Sequence, residues 1–123
     1  MICRHVVEHV PGIGPFLQEL RAIAVAAKAK VVLLETPRWE WIVEHRAFWD
    51  VFNEHCNYFP ERTLAHLCRL AGFRVLRQRA VFGGQYQTLE LAPSKRISRR
   101  LRPPGITSKA ALATFARNFS RYR

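Results

Sequence analysis

The chain has 123 residues, 49% of them apolar and 24% charged, a composition that suits one folded domain and excludes global disorder or a membrane span, which needs about 20 consecutive apolar residues. Its net charge of +11 is unevenly placed: residues 1–92 carry eleven Lys and Arg and all nine acids, a net +2, whereas residues 93–123 carry nine Lys and Arg and no acid. The basicity is therefore a property of the tail, and nonspecific contact with nucleic acid or another polyanion is expected of the tail alone.

In chain order, Ile2–Val10 predicts a strand, with Val6, Val7 and Val10 favouring extended backbone. Pro11-Gly-Ile-Gly-Pro15 is a loop, and Pro15 suits the first position of a helix, Pro15–Ala27, whose Phe16, Leu17, Leu20, Ile23 and Ala24 recur at helical spacing. Val31–Leu34 is a short apolar run of the kind buried on both faces of a parallel sheet, ended by Thr36-Pro37. Residues 38–59 are dense in aromatics, with a short helix predicted over Arg46–Asn53. Pro60–Ala71 predicts a helix closed by Gly72, Phe73–Val81 a strand, Gly83-Gly84 a turn and Gln85–Leu91 a second strand of an antiparallel pair. A last amphipathic helix, Lys109–Ser120, follows the break at Pro103-Pro-Gly105. The order of elements is that of an α/β domain over residues 1–92 with an antiparallel end, followed by a basic tail over 93–123.

The start lacks the basic-then-apolar pattern of a secretory signal. Cys3, Cys56 and Cys68 form an odd set with no CxxC spacing, which excludes a zinc knuckle and a disulfide scaffold and points to a reducing cytoplasm.

Several strings together resemble one family. Arg4-His-Val-Val-Glu-His-Val-Pro11 with the following Phe16-Leu-Gln-Glu-Leu-Arg21 is similar to the fourth strand and helix of class I S-adenosylmethionine-dependent methyltransferases, and Leu33-Leu-Glu-Thr-Pro37 to the fifth strand. Phe48–Phe59, Thr63-Leu64, Ala71-Gly-Phe73 and Phe82-Gly-Gly-Gln-Tyr86 resemble the C-terminal half of the sugar C-methyltransferase-like branch. The resemblance implies the C-terminal half of a Rossmann-like sheet, parallel strands with an antiparallel end, whose N-terminal half is absent. It implies S-adenosylmethionine as cofactor of the complete enzyme and a small-molecule acceptor, such as a nucleotide sugar, methylated on carbon or a hydroxyl. The glycine-rich turn and the ribose-binding acid of such folds are not found in this chain, and Ala26-Ala-Lys-Ala-Lys30 replaces the usual Lys-Pro-Gly-Gly. The isolated chain is therefore expected to be inactive.

Methyl transfer to carbon or oxygen needs alignment and removal of a proton. Glu54 and His55, adjacent and flanked by aromatics, could share that base role. The competing reading makes Glu54 a surface charge and His55 a hydrogen-bonded loop residue. The resemblance places the pair in the acceptor site, with Asn53, Trp49, Gln85 and Tyr86 as acceptor contacts, and places Arg4 and His5 near the cofactor. Lid packing for the tryptophans and a tight turn for Gln85-Tyr86 are the alternatives, as loop capping is for Glu8 and His9. No metal is expected: His5 and His9, four residues apart on one strand, would stand about 13 Å apart.

Overall fold

The computed structural model describes residues 1–52 and 54–94. Four strands form one sheet: β1 (Ile2–Arg4), β2 (Val32–Pro37), β3 (Phe73–Val81) and β4 (Tyr86–Pro93), in the spatial order β1-β2-β4-β3. β1 and β2 are parallel, with Ile2 opposite Leu33 and Arg4 opposite Glu35, and β4 runs antiparallel to both β2 and β3. The helices are α1 (Ile13–Ala26), α2 (Trp39–His45), α3 (Trp49–Phe52) and α4 (Glu61–Leu70). This is a mixed α/β domain with parallel strands and an antiparallel end. None of the described helices is long and apolar enough to cross a membrane.

One core unites these elements. Leu17, Leu20 and Ala24 of α1 and Leu64, Ala65 and Cys68 of α4 pack with Val32 and Leu34 of β2 and Leu89 and Leu91 of β4. Each large aliphatic side chain buried there contributes about 1.5–3 kcal/mol of transfer free energy. Among the described residues β1 has a strand neighbour on one side only, and Ile2 is 70% exposed.

The strand predicted over Ile2–Val10 stops at Arg4. His5 takes a left-handed backbone conformation (φ 52°), and Val7–His9 then close a single 3-10 turn. The valines favour extension, but the turn lets Glu8 point back to Thr36, a contact that a continued strand would prevent. α1 starts two residues before Pro15, which falls in the first turn where its missing N–H has no partner to lose. β2 runs through Thr36 and Pro37, because pairing with β4 continues to Tyr86.

The sequence predicts no helix in the aromatic segment before Arg46, yet Trp39–His45 is helical, and Arg46 ends that helix in the left-handed region (φ 53°). The short helix predicted over 46–53 contracts to Trp49–Phe52. α4 ends at Gly72, whose φ of 92° suits glycine alone. The hairpin falls as expected, with β4 beginning one residue later and ending two residues later than predicted. The helix predicted over Lys109–Ser120, with the rest of the chain from Lys95, lies outside the described residues, and so does Asn53.

Candidate functional site

Charged side chains gather where β1 and β2 end. In open α/β sheets, ligands bind beyond the carboxyl ends of the parallel strands. Here the chain places two buried carboxylates, Glu8 just past β1 and Glu35 near the end of β2. Burial of a carboxylate is costly unless its oxygens are partnered, and both are. Thr36 Oγ1, fully buried, donates to Glu8 Oε2 at 3.0 Å. Arg4 donates from Nε to Glu35 Oε1 at 2.8 Å, and its Nη2 stands 2.8 Å from the same oxygen. His5 bridges the two acids, with Nδ1 3.4 Å from Glu8 Oε1 and Nε2 3.3 Å from Glu35 Oε1. The left-handed turn at His5 makes this bridge possible. Tyr86, at the start of β4, sets its ring edge-on to His5 with centroids 4.9 Å apart.

A second wall is strapped to this cluster. The backbone N–H groups of Cys56 and Asn57 both donate to the Glu8 carbonyl, at 2.9 and 3.1 Å. Asn57 Nδ2 donates to the Val10 and Val7 carbonyls at 2.6 and 3.3 Å. The Tyr58 hydroxyl stands 3.2 Å from each of the Val51 and His55 carbonyls. These contacts hold His55 beside the 3-10 turn, its ring edge-on to His9 with centroids 4.7 Å apart. The ligand atoms of Glu8, His9 and His55 all lie within 4.8 Å of one another.

The residues singled out from sequence divide accordingly. Arg4, His5 and Tyr86 meet at the strand ends. His55 lies across from them against His9. Glu54 is exposed, and the group it offers the cluster is its carbonyl, to which His9 Nδ1 donates at 3.2 Å. Trp49 is half exposed and packs on Phe48. Gln85 lies in the hairpin turn, where its carbonyl accepts from the Arg38 N–H at 2.9 Å.

Three contributors were missed or left open. For Glu8 the sequence left loop capping as an alternative to a place at the ligand end of the first strand, and its side chain is buried between His5 and Thr36. Glu35 was passed over, although a carboxylate at the end of a doubly buried strand was itself a signal. Asp50 was not considered; burial pushes its carboxyl up while the nearby His55 pulls it down. The spacing argument against a metal assumed a strand through residue 10, and that strand ends at Arg4.

These features define a mixed α/β domain with a cluster of partnered charged side chains at its strand ends. The chain belongs to the family described as a methyltransferase domain, whose match covers residues 1–78, from β1 into β3. None of the curated proteins compared matches it.

Proposed function

We propose that this chain is the acceptor-side half of an S-adenosylmethionine-dependent methyltransferase of the class I, Rossmann-like kind, and that its acceptor is a small molecule of the sugar class, methylated on carbon or a hydroxyl. The observation that carries the reading is the family match over β1, α1, β2 and the strapped segment, which together build the polar site. The one-sided pairing of β1 supports it, since a further parallel strand could add there.

The residues present fit one end of the cofactor. Arg4 directs Nε and Nη2 to Glu35, and its Nη1, with no partner among the described residues, could meet a carboxylate such as that of the cofactor's amino-acid portion. His5, braced by two acids, stands beside it, and Glu8 and Glu35 supply negative charge that complements a sulfonium. When bound, the cofactor supplies an electrophilic methyl group. The acceptor lies against Trp49, Tyr86 and the Glu54-His55 pair. Glu54, the solvent-facing member, takes the acceptor proton, and His55 is the anchored member.

The test joins this chain behind the first half of a methyltransferase domain of the same family. The joined protein is supplied with methyl-labelled S-adenosylmethionine and a panel of nucleotide sugars. Label on a sugar supports the reading. Label on a different small molecule removes the sugar class, and failure to bind the cofactor overturns the proposal.

A further inference from the structure

The 3-10 turn and the strapped segment bring together one carboxylate and two imidazoles from positions 8, 9 and 55. We propose that Glu8, His9 and His55 form a binding site for a single divalent transition-metal ion of the zinc class. The assignment stands on the geometry of these side chains and does not depend on the identity of the methyl acceptor.

Four observations carry it. The donor set is two nitrogens and one carboxylate oxygen, which suits zinc and the neighbouring first-row ions and leaves coordination positions open. The ligand atoms lie within 4.8 Å of one another. Ligands held about 2.0–2.2 Å from a common ion stand about 3–4 Å apart, so closure by roughly an ångström suffices. His9 is exposed and His55 half-buried, and both rings have room to make that movement.

The outer contacts are those that metal ligands use. His9 Nδ1 faces the Glu54 carbonyl at 3.2 Å. A carbonyl can only accept, so the proton sits on Nδ1 and the lone pair of the neutral ring is left on Nε2. The Glu8 carboxylate is oriented by the Thr36 hydroxyl and by His5, and an ionised carboxylate offers about four lone-pair directions, which leaves capacity for an ion. Finally, the site is built before any ion arrives: the Cys56 and Asn57 N–H groups, both on the Glu8 carbonyl, and Asn57 Nδ2 on Val7 and Val10 fix His55's segment to the turn. An ion here would border the surface assigned to the acceptor, where an acceptor oxygen could occupy an open position.

The experiment titrates the full 123-residue chain with cobalt(II) at neutral pH, following the visible d–d absorption and its displacement by zinc. One equivalent with the spectrum of a nitrogen–oxygen site is expected. His9→Ala and His55→Ala alter positions at least partly open to solvent and keep the fold, and each should weaken binding by at least about tenfold, the lower bound seen when even an outer contact is lost. Glu8→Gln should do the same. Cys56→Ser should bind as the native chain does. Absence of a bound-cobalt spectrum in the native chain would overturn the proposal. Native-strength binding in His55→Ala, or loss of binding in Cys56→Ser, would overturn the ligand set.

Discussion

Thr36 Oγ1 donates to Glu8 Oε2 at 3.0 Å across 28 residues of sequence, with both side chains buried. This bond fixes the end of β2 to the turn after β1 and holds an acid that neither strand alone could keep out of water. Thr36→Val preserves shape and removes the donor. Hydrogen bonds to charged groups contribute about 1.5–3 kcal/mol, and that loss is expected in urea unfolding. Thr36→Ser retains the hydroxyl and should recover most of it. Equal losses in both variants would mean that the methyl packing, rather than the bond, matters at this position.

Much of this was legible in the sequence and the reason is local. Leu17, Leu20 and Ala24 repeat at helical spacing and are buried as that spacing requires, and Gly72 and Gly83-Gly84 mark breaks where the backbone does turn left-handed. The site was less legible because its key contacts are long-range. Nothing near Val6 and Val7 announces that His5 will turn left-handed; the reward for that conformation is Glu8 reaching Thr36 and His5 reaching Glu35, about 30 residues away. Trp39–His45 failed for a similar reason. Its tryptophans carry no helical stripe, and the helix is held by Ile42 in a buried position and by tertiary contacts such as the Glu61 N–H donating to Glu40.

Cys68 gives a prediction with a definite sign. Its thiol is fully buried, and desolvation pushes it up to about 12 from an ordinary 9.0. The unfolded thiol ionises near 9.0 while the folded one keeps its proton. Stability from this group is therefore intact below pH 9 and falls between about 9 and 12, by about 1.4 kcal/mol per pH unit. Cys68→Ala should flatten that limb of the stability–pH curve. Thiol labelling provides a second check: Cys56, exposed, reacts in the native state, whereas Cys68 reacts only on unfolding. Native-state labelling of Cys68 would show that α4 opens locally.

The charge division predicts where polyanion affinity resides. Residues 93–123 hold nine cations and no acid, and residues 1–92 are nearly balanced. Removal of 93–123 should abolish retention on heparin, and salt should elute the full chain progressively as screening shortens the reach of its charges. An unchanged elution salt after truncation would assign the affinity to residues 1–92.

The roles of Glu54 and His55 can be separated in the joined enzyme. Glu54 is exposed and supplies His9 with a carbonyl, which any residue at position 54 would retain. Glu54→Gln therefore leaves the cluster intact and removes only the proton acceptor. It should lower single-turnover methyl transfer by about 10²–10⁴-fold, the usual contribution of a general base, with cofactor affinity and cobalt binding unchanged. His55→Asn also keeps the backbone bonds that strap its segment, since the Tyr58 hydroxyl bonds its carbonyl. It removes an imidazole from the group of Glu8 and His9, so both turnover and cobalt binding should fall together. If the ion orients the acceptor, excess zinc should restore part of the His55→Asn rate and none of the Glu54→Gln rate. Wild-type turnover in both variants would place proton removal elsewhere, with Tyr86, whose ring packs edge-on to His5, the next residue to vary.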